Sequence, residues 1–165
     1  MSIDYSEDRL IQKSAAELME TELGWASVYA YDKEVLGENG TLGRNSFHEV
    51  LLIQQFRLAL KKLNPWINDK QIAEAIERMT ERMSSQTLMQ INEQKYQFIR
   101  DGIPVTRIKP DGTSEEIKAV VIDFENVDNN NFLCVRELWV YGALYRRRAD
   151  IVGFVNGIPL LFVEL

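Results

Sequence analysis

Apolar residues recur along this chain with two different periods, and the change from one to the other falls near Gly102. Before it the spacing is helical. In SEDRLIQKSAAELMETELGW, Leu10, Ile11, Ala15, Leu18 and Leu23 recur at three- and four-residue steps, which predicts an amphipathic helix. Ser6 is placed to cap it, Glu7 and Asp8 suit the positive end of its dipole, and Gly24 can supply a left-handed stop. WASVYAY alternates as a short strand, and GENGTLGRN is a polar, glycine-bearing loop. A second helix is predicted from Ser46 as cap, with Glu49 in the capping-box position and Asn64-Pro65 as the stop. The third, NDKQIAEAIERMTERM, carries the stripe Ile72, Ala75, Ile76, Met79 and Met83, with Glu74, Glu77 and Glu81 on a solvated face. A fourth is expected from Thr87 to about Arg100, ended by Gly102.

After Gly102 the runs become β-branched and aromatic. EIKAVVIDF, NFLCVRELWVY, ADIVGFV and IPLLFVEL read as strands, separated by turn signals at Pro110-Asp111-Gly112 and Asn129-Asn130-Asn131. Helices first and strands last favour an α+β or layered α/β domain on a mainly antiparallel or mixed sheet. The length, 165 residues, is about one domain.

Composition narrows the function classes. A net charge of −6 argues against a free-standing, non-specific nucleic-acid binder, without excluding a local basic patch. Cys134 is the only cysteine, so no disulfide forms within the chain and a reducing compartment is expected. No basic-then-apolar leader and no run of roughly 18 apolar residues occurs, so the expectation is a cytoplasmic protein with no membrane partner.

The stretch RRRADIVGFVNGIPLLFVEL holds the candidate chemistry. Asn156-Gly157 is a strong signal for a two-residue type I′ turn, since both residues tolerate positive φ. A strict two-residue turn sets Val155 against Ile158, Asp150 against Val163 and Glu164 against Ala149. The two carboxylates then lie on opposite faces of the sheet. They meet only if one extra residue enters the second strand. Pro159 has no N–H to give the ladder, so a bulge or wider loop is predicted between Asn156 and Leu160. Two converging carboxylates make a hard oxygen site suited to Mg²⁺ or Mn²⁺, ions that polarise phosphodiesters and lower the pKa of bound water. Arg146, Arg147 and Arg148 stand where they could touch phosphates beside it. The competing reading is that acids at strand ends are solvated caps.

Several phrases in order add to that reading: SEDRLIQKSAAELMETELGW, GTLGRNSFHEVLL, ALKKLNP, DGIPV, VIDFENVDNNNFLCV and RRRADIVGFVNGIPLLFVEL. Together they resemble the N-terminal domain of the restriction (R) subunit of type I restriction-modification enzymes. The last phrase looks like that family's PD-(D/E)xK nuclease motif, with Asp150, then Glu164, then a lysine two residues on. The resemblance implies a restriction-endonuclease-like core, a central mixed sheet flanked by helices, and Mg²⁺-dependent cleavage of double-stranded DNA. Asp150 and Glu164 would be catalytic metal ligands, the backbone carbonyl of Leu165 a third ligand, and Glu7 a further contact. A glutamate in a first helical turn equally suits the dipole.

Two departures stand out. Ala149 occupies the position where the motif usually has proline, which shapes backbone rather than supplying chemistry. The motif lysine would follow Leu165, where this sequence ends, so the stretch by itself is expected to be inactive. The resemblance further implies a larger motor subunit with ATPase domains, working with modification (M) and specificity (S) subunits. No ATP-binding motif occurs here, so ATP would serve only the full-length subunit. Two alternatives are a non-catalytic docking module on a nuclease-like fold and a stand-alone resolvase-like or repair nuclease. His48 is the only histidine, which excludes a multi-histidine zinc site within the chain and favours a structural role. Cys134 reads as a small core residue, and Arg44 as a loop residue that could touch DNA or a partner, a role the sequence leaves open.

Overall fold

The computed structural model describes residues 7–31, 33–81 and 85–165, with side chains from Ile11 onward. Ser6, Met83 and the side chains of Glu7, Asp8 and Leu10 lie outside the described residues. Two compact units form, one from residues up to Gln54 together with Asn131–Leu165, the other from Gln55–Asn130.

The first unit is built on a mixed four-stranded sheet. Helix α1 (Glu7–Thr21) leads into β1 (Ala26–Tyr29), and the remaining strands are β4 (Phe132–Tyr141), β5 (Arg146–Val155) and β6 (Ile158–Val163). Their order is β1-β4-β5-β6, with β1 parallel to β4 and the other neighbours antiparallel. On one face Ala16 and Met19 of α1 pack with Cys134 and Ile151, joined by Trp25 and Val163. On the other, Leu42 and Leu52 from the long loop after β1 pack with Val135, Val152 and Phe154. Gly153 is required by this packing: a Cβ there would stand 2.9 Å from both the Trp25 ring and Leu161.

Helix α1 forms where its spacing predicts, but it buries a different stripe. Gln12, Ala16 and Met19 are buried, while Ile11, Leu18 and Leu23 are exposed.

The helix expected from Ser46 begins instead at Ile53, as α2 (Ile53–Leu63). Its capping signals close only a turn: the Ser46 carbonyl accepts from Glu49 N–H at 3.0 Å, and the Glu49 carboxylate accepts from Asn45 N–H at 3.1 Å. The backbone between is spent on the sheet. Tyr141 N–H donates to the Phe47 carbonyl at 3.0 Å and Leu52 N–H to the Gly157 carbonyl at 2.9 Å. Tertiary hydrogen bonds outweigh a local helix start here.

Arg44 has a role that the sequence leaves open. Its side chain is 1% exposed, paired with Glu34 through Nε–Oε1 at 2.5 Å and Nη2–Oε2 at 2.6 Å. It also donates to the carbonyls of Glu49 and Trp139. It is an internal clamp on the loop, not a surface for DNA or a partner.

The second unit holds most of α2 with α3 (Asp69–Thr80), α4 (Leu88–Asp101), the β2–β3 hairpin (Ile103–Ile108, Ser114–Ala119) and a 3-10 turn at Val127–Asn129. Complete capping boxes, Asn68 with Gln71 and Thr87 with Gln90, start α3 and α4, and Gly102 ends α4 at φ 90°. Strand β2 was not expected. IPVTRI is short and contains a proline, and only its pairing with β3 and the burial of Ile103 and Val105 make it a strand. β3 stops at Ala119 because the buried Asn64 amide takes both the N–H and the carbonyl of Val120, each at 2.8 Å. Glu74 is not simply solvated. Its carboxylate accepts from Thr106 N–H at 2.9 Å and Thr106 hydroxyl at 3.1 Å, tying α3 to β2.

Candidate active site

The β5–β6 hairpin turns through Asn156 and Gly157 at φ 53° and 82°, with Val155 paired to Ile158. This is the two-residue turn that Asn-Gly predicts. Phe154 then pairs with Pro159, but Gly153 pairs with Leu161, so Leu160 is an extra residue in β6. The bulge falls at the edge of the predicted interval, immediately after the proline that cannot donate to the ladder. Beyond it Val152 pairs with Phe162 and Ile151 with Val163. The pairing and β6 both end there, one residue short of Asp150 and Glu164. The extra residue shifts the register in the sense that a shared site requires, since without it Ile151 would pair with Phe162 rather than Val163.

Asp150 is half-buried and Glu164 exposed. One Asp150 oxygen, Oδ2, accepts from Leu165 N–H at 2.8 Å, which orients the carboxylate across the strand ends. Two carboxylates and a strand-end carbonyl are hard oxygen donors that fit Mg²⁺ or Mn²⁺, ions that complete octahedral shells with water and phosphate oxygens. Among the described residues no group of three or more His, Cys, Asp or Glu side chains stands close enough to hold a metal. The Glu7 side chain lies outside the described residues.

Comparison with known proteins then decides the family. The family described as type I restriction enzyme R protein N terminus matches residues 4–165. The chain belongs to that family. It is 31% identical over 145 residues to the type I restriction enzyme HindI endonuclease subunit of Haemophilus influenzae, covering 87% of this chain and 13% of that protein. It is 26% identical over 162 residues to the putative type I restriction enzyme MjaIXP endonuclease subunit of Methanocaldococcus jannaschii, covering 96% of this chain and 15% of that protein. The chain therefore spans about an eighth to a seventh of the length of these curated relatives.

This R-protein N terminus carries a feature that the sequence reading passed over. Register pairs on either side, Arg136 with Ile151 and Leu138 with Ala149, place Glu137 opposite Asp150 across the other edge of β5. Glu137 is 8% exposed and has φ 58°, a left-handed conformation that costs roughly 1–3 kcal/mol for a non-glycine residue. Its Oε2 lies 2.6 Å from Arg148 Nε, an ion pair without hydrogen-bond alignment. The available signal was two adjacent charges, Arg136-Glu137, inside an otherwise apolar strand.

The three arginines separate. Arg148 is engaged by Glu137 and lies over the Tyr31 and Trp139 rings at 5.2 and 6.0 Å. Arg146 lies over Tyr141 at 4.7 Å, Arg147 over Tyr145 at 5.9 Å, and both are exposed. His48 packs edge-on to Tyr141 at 6.0 Å between ring centres. Cys134 is fully buried, and burial raises its thiol pKa. Seven residues of strand, roughly 23 Å, separate it from the Tyr141 that His48 touches, so the two form no catalytic pair.

Proposed function

We propose that this chain is the endonuclease region of a type I restriction enzyme R subunit, hydrolysing phosphodiesters of double-stranded DNA. The observation that supports the reading most is the bulge at Leu160, after which Ile151 pairs with Val163 and Leu165 N–H reaches the Asp150 carboxylate, in a family whose relatives are named endonuclease subunits. In this reading Asp150, Glu164 and the Leu165 carbonyl hold Mg²⁺ or Mn²⁺, and Glu7 is a further candidate contact. The ion supplies phosphate polarisation and a lowered pKa for the attacking water. The chain's own residues orient the reaction: Leu165 N–H aims Asp150, and Arg146 and Arg147 take flanking phosphates. Arg148 contributes to DNA only after exchanging its Glu137 pairing for a phosphate.

In this reading ATP-driven translocation and assembly with M and S subunits are functions of the complete subunit, acting in the cytoplasm. Among the described residues no helix is long and apolar enough to cross a membrane. The test is DNA cleavage by the complete enzyme with Mg²⁺. Asp150→Ala and Glu164→Ala should each reduce it at least about a hundredfold, with unfolding temperature nearly unchanged. Cleavage that survives both substitutions would sink the assignment and leave a docking module as the better reading.

A further inference from the structure

Strand pairing leaves part of the sheet overhanging. β1 pairs with β4 only over Leu133–Arg136, and β6 pairs with β5 only over Ile151–Val155. Beyond those limits Glu137–Tyr141 and Arg146–Asp150 continue as a two-stranded ribbon, rooted at Asp150. The loop around Arg44 and Phe47 bonds the β4 side of this ribbon, and the tip is Gly142–Tyr145. Leu144 is 85% exposed and Tyr145 70% exposed, the pair of large apolar residues that the first unit presents most openly at a turn.

The charge around the tip differs from that of the chain. Residues 138–149 hold three arginines and no acid, in a protein of net charge −6. Among the described residues Arg146 and Arg147 have no acidic partner, and each guanidinium lies over a tyrosine ring. A cleft of about 230 Å³ under the tip is walled by His48, Tyr141 and Arg146.

From these placements we propose that the Gly142–Tyr145 tip is a DNA-probing wedge: Leu144 and Tyr145 press against a base step while Arg146 and Arg147 hold the adjoining phosphates. An apolar side chain flanked by arginines is the chemistry by which proteins part stacked bases, and a two-stranded ribbon is narrow enough for a groove. Arg146 lies four residues, roughly 13 Å, from Asp150 along one strand, so a duplex seated on the acid pair passes the tip. This rests on the proposed nuclease reading for its occupant, double-stranded DNA.

The experiment uses the complete subunit without divalent ions and a duplex carrying 2-aminopurine at interior steps. Wild type should raise 2-aminopurine fluorescence on binding. The Leu144→Ser, Tyr145→Ser double variant should lose that rise and bind about tenfold more weakly, with the same salt dependence. Tyr145→Phe should keep the signal. Arg146→Ala with Arg147→Ala should instead flatten the slope of log affinity against log salt by about two. Because the tip side chains are exposed, unchanged unfolding temperature is expected in every variant. A tip variant that binds and fluoresces like wild type overturns the proposal, as does one that loses only association with other subunits. Failure of the nuclease reading is separate: Asp150→Ala would then leave cleavage intact whatever the tip variants do.

Discussion

Arg44 shows how far a single residue's role can depend on what folds around it. A lone arginine in a glycine-bearing loop reads as a surface group, yet both oxygens of Glu34 and two carbonyls enclose it. Lysine keeps the charge but cannot form the two-point contact or reach both carbonyls. Arg44→Lys should therefore lower stability by about 3 kcal/mol in urea unfolding, because a buried Glu34 is left poorly paired. An equal midpoint for wild type and variant would show that the clamp contributes nothing. Glu137 is the complementary case. Its position in an apolar strand predicts little, while its left-handed backbone and its place opposite Asp150 mark it as part of the same neighbourhood.

At the scale of elements, the decisive one is β6. What matters is which residues of β6 pair with β5 beyond Pro159, because a one-residue slip of a ladder turns the following side chains to the other face. Deleting Leu160 converts the bulge to a plain ladder that still pairs Ile151 with Val163, so cleavage by the complete enzyme should persist. Inserting one alanine between Phe162 and Val163 instead carries Glu164 past Asp150, and should cost about a hundredfold or more. If the insertion cuts normally or the deletion does not, the register argument is wrong. Helices α3 and α4 were legible because their capping boxes and spacing are local signals. The start of α2 was not, since hydrogen bonds from Tyr141 and to Gly157 claim the backbone before Ile53.

For the whole molecule, acid sensitivity is concentrated in the second unit. Asp69, Glu74, Asp101, Asp111, Glu115 and Asp123, all within Gln55–Asn130, are the described carboxyls held below their ordinary pKa. Burial pushes Glu74 up, but bonds from Thr106 and Arg78 outweigh it; Asn129 and the Asn126 N–H hold Asp123 down. A carboxyl depressed in the folded state adds stability above its unfolded pKa, near 3.8 for Asp and 4.5 for Glu, and loses it as pH falls through the folded value. Hydrogen exchange followed downward from pH 4.5 should therefore show α3 and β2 amides losing protection before those of β4 and β5. Simultaneous loss would contradict this. The net charge of −6 belongs to the same scale, and it confines any DNA contact to local cations such as those of the β4–β5 tip.

The sequence by itself determined what depends on near neighbours along the chain. The 3.6-residue spacing of α1, α3 and α4, the stop at Gly102, the Asn156-Gly157 turn, and a bulge between Asn156 and Leu160 are all of this kind. So are the phrases that place the chain among type I R-protein N termini. Only the tertiary structure decided which stripe of α1 is buried, that IPVTRI is a strand, that Arg44 is internal, and that Glu137 is buried beside Arg148. Those outcomes rest on hydrogen bonds and packing between segments far apart in sequence, and no local period encodes which distant partner a residue will meet.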